Sequence, residues 1–198
     1  MDLDDPTGVA LRAAEALGAS GLRHALYGGL VLAAYGEARE TRDADFCVQG
    51  VSARDAEAAL RAAGFDLQVA FPELRLGGVV VSRLTLLPGG EDTGSSCVDL
   101  VSPVSGRFGA GVFERVLKGP VRGREISLVS PEDFILLKVL STRDRDLSDA
   151  ASVIRGLADR LDWDLLRSEV ELLSAEVPAH DVTVRFARVE EMARLAMP

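Results

Sequence analysis

Apolar positions recur along this chain at two spacings, and the switches between them mark out its elements. Val9, Leu11, Ala13, Ala14 and Leu17 fall at helical spacing between the start signal Asp5-Pro6-Thr7 and the stop Gly18, which predicts a helix over 7–18. Ala25-Leu26-Tyr27 reads as a short strand that Gly28-Gly29 ends, and an apolar helix follows over 30–35. Around Phe46 and Val48 the spacing becomes two. Ala44, Phe46 and Val48 then share the core face of a strand, while Asp43 and Asp45 share the other. Residues 52–63 predict an alanine-rich amphipathic helix with Ser52 as N-cap, Asp55 at the capping-box position and Gly64 as stop.

Strands are expected next over 65–70, 74–76 and 79–87, with turns at Phe71-Pro72 and Gly77-Gly78, then a polar loop over 91–96. The strand 97–101 places Val98 and Leu100 in the core and turns Asp99 away from it with Cys97 and Val101. If this strand lies antiparallel to 43–48 with Asp45 opposite Asp99, Cys47 falls opposite Cys97. The two thiols then read as buried small hydrophobes, with a thiolate metal site as the bolder alternative. Residues 103–111 form a glycine-rich connection that no Gly-Lys-Ser/Thr follows, which excludes a P-loop. A hairpin is expected from 112–116 and 125–129 around a basic turn at 118–124.

Ser130, as N-cap, and Pro131, at the first helical position, start a helix in which every residue from Phe134 to Leu140 except Lys138 is apolar. A helix apolar on all sides is a buried one. Lys138 must then either snorkel to the surface or meet a carboxylate or a bound phosphate. A basic turn over 141–145 leads into a helix that Asp146 caps, and further amphipathic helices cover 162–175 and 179–196. The pattern gives an α+β chain: a mixed sheet with flanking helices over 1–104, then a mainly helical C-terminal lobe over 105–198.

Composition narrows the function. The 47% hydrophobic content of these 198 residues supplies a packed core. A net charge of −9 argues against broad electrostatic binding to nucleic acid, which depends on Lys and Arg. Two distant cysteines exclude a zinc framework. The first residues lack a signal peptide's basic and apolar regions, and no apolar run approaches membrane-spanning length, so the chain reads as a soluble cytoplasmic protein with no membrane partner.

Candidate chemistry gathers in residues 27–48. A glycine turn opening a helix exposes backbone N–H groups that favour phosphate. Asp43 and Asp45 on one strand face repel each other and lose hydration unless a cation joins them, and Mg²⁺ takes one or two carboxylates plus substrate phosphates. Beside such a site Arg39 and Arg42 read as clamps for triphosphate oxygens. His24 reads as a turn residue.

In that order, Tyr27-Gly28-Gly29, a spacer helix and Asp43-Ala44-Asp45 resemble the signature of the nucleotidyltransferase superfamily related to DNA polymerase β. The form Arg39-x-Thr41-x-Asp43-x-Asp45, with Ser130-Pro131-Glu132-Asp133, a lysine-bearing helix and Arg145-Asp146-x-x-Asp149-Ala150, looks more particularly like the AbiEii-type group. Those are small bacterial nucleotidyltransferases, many of them toxins of toxin–antitoxin pairs. The resemblance implies a nucleotidyltransferase-type sheet and Mg²⁺-dependent transfer of an NMP from an NTP, ATP among the candidates, to a hydroxyl, with Mn²⁺ as a substitute ion. It assigns Asp43, Asp45 and Asp99 to the metals, with Asp99 assisting deprotonation. Gly28, Gly29, Arg39, Thr41, Arg42 and Lys138 go to the nucleotide, and Asp146 supports the site. Its implied partners are an acceptor, either tRNA or a protein, and a cognate antitoxin. An aminoglycoside acceptor, or a non-catalytic nucleotide- or partner-binding module of the same fold, are the alternatives.

Overall fold

The computed structural model describes residues 2–89, 94 and 96–195. Helix α1 (Pro6–Ala19) starts where Asp5 accepts from the Gly8 N–H. Strand β1 (His24–Tyr27) runs through Gly28 into α2 (Gly29–Tyr35), and a loop returns the chain as β2 (Ala44–Val48). Helix α3 (Ala53–Ala62) carries both halves of the Ser52–Asp55 capping box. Three strands follow, β3 (Leu67–Leu76), β4 (Val79–Leu86) and β5 (Ser96–Pro103). After them come α4 (Gly106–Glu114) and the hairpin β6 (Leu117–Val121) and β7 (Arg124–Leu128). Four helices end the described chain: α5 (Pro131–Leu140), α6 (Asp144–Leu157), α7 (Trp163–Glu176) and α8 (Val182–Leu195). None of the described helices is long and apolar enough to cross a membrane.

One seven-stranded sheet, in the order β3-β4-β5-β2-β1-β7-β6, organises the molecule. It is mixed: β2 pairs with β5, and β1 with β7, in parallel, while the other neighbours are antiparallel. Phe46 and Cys47 point to opposite faces and both are fully buried, so the centre of β2 is covered on both sides. Helices α1 and α3 pack together, and α5 to α8 bundle as the alternation of apolar positions implied.

Four local expectations need correction. Phe71-Pro72 is not a turn, because β3 runs through it with bulges at Val69/Phe71 and Phe71/Leu74. Pro72 is tolerated there because β3 is an edge strand, where a missing N–H interrupts no ladder on the open side. The strands bearing Asp45 and Asp99 are parallel, so Asp45 does lie opposite Asp99 but Cys47 pairs with Val101, and the two thiols do not face each other. The glycine-rich connection contains α4: Ser105 accepts from the Phe108 N–H, and Phe108 and Val112, one turn apart, are fully buried. That burial overrides the low helix propensity of Gly106, Gly109 and Gly111. The hairpin accordingly starts after α4 and turns at Arg122-Gly123, both at positive φ. Of the expected polar loop over 91–96, only residues 94 and 96 lie within the described part.

Candidate active site

The centre of the sheet opens into a cavity of about 240 Å³ lined by Tyr27, Thr41, Asp43, Asp45 and Asp99, by cationic residues, and by an apolar wall that includes Phe71, Val81 and Leu137. Each carboxylate arrives by backbone geometry. Asp45 sits in β2, directly opposite Tyr27 on β1 and Asp99 on β5. Asp43 lies two residues before Asp45, just ahead of β2. Thus the three acidic residues expected to meet do line one cleft.

The glycine corner makes room for Asp45. Gly28 has φ +72°, and a Cβ placed there would lie 1.9 Å from the Asp45 carboxylate. Gly28 is therefore required by its backbone and by its neighbour. A Cβ on Gly29 would lie 2.8 Å from Cβ of Thr41, whose hydroxyl donates to the Asp43 carbonyl at 3.3 Å. Packing of the turn against β2 is thus what these glycines provide in the folded chain.

Arg83, on β4, faces Asp99 across the antiparallel β4–β5 ladder. Its Nε donates to Asp99 at 2.8 Å, and one terminal nitrogen donates to Asp99 at 2.6 Å and to Asp43 at 3.2 Å. This guanidinium spans the two outer carboxylates. Its pKa is pushed up chiefly by the hydrogen bonds to Asp99. No motif pointed to it; only the pairing of β4 with β5 brings it to the acids.

Among the described residues Asp45 has no such partner. Burial, helped by the charges of Asp99 and Asp43, raises its carboxyl to about 7 against the pull of Lys138 and Arg143. Carboxylate oxygens suit a hard divalent cation, and Asp43 and Asp45 supply the one or two carboxylates that Mg²⁺ takes alongside phosphates. Asp99 has both oxygens engaged by Arg83. Among the described residues no set of three acidic, His or Cys side chains is arranged to hold a metal. The residues as placed fit one divalent cation at Asp43 and Asp45; a trio of ligands is not ready-made.

Behind this cluster lies a second, closed one. Lys138 on α5 is buried and does not snorkel. Its Nζ donates to Asp146 at 2.7 Å, lies 3.1 Å from an Asp149 oxygen, and stands over the rings of Tyr27 and Phe134 at 5.1 and 5.4 Å. Asp146 is not an N-cap, because α6 begins at Asp144 after Arg143. Its carboxylate instead accepts from Lys138, from Ser141 Oγ at 2.5 Å and from Arg143 Nε at 2.8 Å. Burial alone would raise its pKa, but Lys138, Ser141 and Arg143 outweigh that and hold it at about 2. Arg39 reaches Asp149 through two hydrogen bonds of 3.1 Å, which makes Asp149 a buried partner of two cations.

The α5 end of this cluster is pinned from several sides. The Val139 carbonyl accepts from Arg185 Nε and contacts His180 Nε2, both at 2.9 Å, and the Leu140 carbonyl accepts from the Gly78 N–H at 2.8 Å. Just beyond it, Arg143 and Arg145 line the cleft, and Arg145 has no ion pair among the described residues. The sequence signal for these two was the basic turn. Arg42 is exposed and does not line the cleft.

No family model matches the sequence, and no curated protein is significantly similar to it. Solved structures are similar in fold. An antigenic nucleotidyltransferase-like protein from Paracoccidioides brasiliensis aligns at TM-score 0.50 and 16% identity over 93% of each chain. A putative nucleotidyltransferase from Helicobacter pylori aligns at TM-score 0.51 and 15% identity, over 96% of this chain and 92% of that one. The protein JHP933 from Helicobacter pylori gives TM-score 0.50 and 14% identity, over 96% and 90%. None of these likenesses singles out the AbiEii-type group. At such identities they establish architecture alone, and the architecture is of the nucleotidyltransferase type.

Proposed function

We propose that this chain transfers an NMP from an NTP to a hydroxyl acceptor and releases pyrophosphate, with a divalent cation required. The observation that carries the reading is the meeting of Asp43, Asp45 and Asp99 with Arg39, Arg83, Lys138, Arg143 and Arg145 in one cleft. Asp43 and Asp45 would hold Mg²⁺, or Mn²⁺ in its place, and a bound ion would neutralise charge on the phosphate oxygens. Arg143 and Arg145 take the triphosphate, while Arg39 and Lys138, held by Asp149 and Asp146, add positive field from behind. Asp99 is fixed by Arg83, yet each of its oxygens keeps a lone pair with which to orient the acceptor hydroxyl and take its proton. In-line attack then forms the bond from acceptor oxygen to the α-phosphorus and breaks the bond to pyrophosphate.

The cleft's charges bear on the acceptor. Five cationic side chains suit an anionic nucleotide and disfavour a polycationic aminoglycoside. A protein hydroxyl, or a tRNA end presented locally, is the acceptor we favour, in a toxin-like enzyme with a cognate antitoxin. The test is incubation with each α-labelled NTP, Mg²⁺ or Mn²⁺, and total tRNA, cell protein or aminoglycosides in turn, repeated with Asp45→Asn. Label should move to one acceptor class and should not move with the variant. The engagement of both Asp99 oxygens by Arg83 favours a second reading, a nucleotide-binding module without turnover. Tight NTP binding with no transfer to any acceptor would decide for it.

A further inference from the structure

We propose that Arg83 is a built-in substitute for a second metal ion, so that the cleft binds one divalent cation and holds Asp99 aligned without metal. This rests on the nucleotidyl-transfer reading above. The guanidinium donates to both oxygens of Asp99 and to one of Asp43, and so occupies acceptors that a second cation would need. Its position is set by the backbone, since Arg83 and Asp99 are direct partners on neighbouring strands. A two-pronged charge-assisted pair of this kind resists displacement. A second divalent ion would have to expel Arg83 from Asp99 or sit beside its positive charge. Among the described residues, the Asp45 carboxylate accepts no hydrogen bond and that of Asp43 accepts one, from Arg83, so the cation is assigned to that side of the cluster. Arg83 acts through Asp99 and is a positioning residue.

Counting Mn²⁺ by electron paramagnetic resonance, in the presence of a non-hydrolysable NTP analogue, tests this directly. The wild-type chain should bind one Mn²⁺ and Arg83→Gln should bind two, because removing the guanidinium frees Asp99. Two ions on the wild type, or one on a folded Arg83→Gln, would overturn the inference while leaving nucleotidyl transfer standing. Should the wild type bind neither Mn²⁺ nor the analogue, both readings fall together. A second measurement does not depend on the variant folding. The Arg83 Nε–H resonance of the wild type should keep its bonded shift and slow exchange at saturating Mg²⁺, and its loss from that position would show that the ion displaces Arg83.

Discussion

Two clusters of opposite net charge meet at this cleft, one lining it and one behind it, each of aspartates and basic side chains placed in different states. In the inner one, Lys138, Arg39 and Arg143 satisfy Asp146 and Asp149 so fully that the Asp146 carboxyl is held at about 2. In the outer one, a single guanidinium serves Asp43 and Asp99 while Asp45 is left at about 7. A closed network fixes α5 and α6 against the sheet, and an under-neutralised one is open to a ligand. Perturbed groups of both kinds occur at functional sites, but only the second kind has an interaction left to make.

The comparison can be broken at several points. The largest effect is expected from Asp45→Asn: transfer should fall by about 10³-fold, roughly 4 kcal/mol of transition-state stabilisation, while the melting temperature stays level or rises. A variant that melts earlier would assign Asp45 to the closed network. Lys138→Met should do the reverse in kind, removing about 3–5 kcal/mol of stability because Asp146 and Asp149 lose their shared buried partner. Urea denaturation measures it; a loss below about 1 kcal/mol would show that the inner network is not closed.

The pH dependence separates the clusters by sign. Asp45 is raised, so its contribution to stability is fully present near pH 4 and is lost as pH climbs through about 7. Asp146 is lowered, so its contribution is present above pH 4 and is lost as pH falls toward 2. Denaturation midpoints across this range should show a single maximum near pH 4 with a falling limb on each side. The upper limb should be up to about 4 kcal/mol deep, flattened by Asp45→Asn and reduced by saturating Mg²⁺. An upper limb that persists in the variant would mean that another group titrates there. Smaller still, Arg145→Ala should weaken NTP binding about tenfold, roughly 1.4 kcal/mol, with unchanged stability. Arg42→Ala should change binding less than about twofold, since its side chain is exposed outside the cleft lining. Isothermal titration with an NTP analogue checks both, and equal effects would show that the triphosphate lies along the loop before β2.

Much of the fold could be read from local pattern because local chemistry causes it. The capping box of α3 and the Ser130-Pro131 start of α5 each use neighbours in sequence. Where distant partners decide, the pattern misled. Gly106, Gly109 and Gly111 suggested a loop, yet burial of Phe108 and Val112 makes a helix. Pro72 suggested a turn, yet an edge position accommodates it.

By itself the sequence determined which residues carry charge on the Asp43–Asp45 strand, that Asp99 lies on another strand, and that Lys138 is alone among apolar neighbours. Those follow from the two-residue and 3.6-residue spacings, which any short segment obeys. Only the tertiary structure decided that β2 and β5 run parallel, that Asp149 shares Lys138, and that Arg83 lies across Asp43 and Asp99. The physical reason is that ion pairing depends on distance in space, and Arg83 stands 40 residues from Asp43 and 16 from Asp99 along the chain.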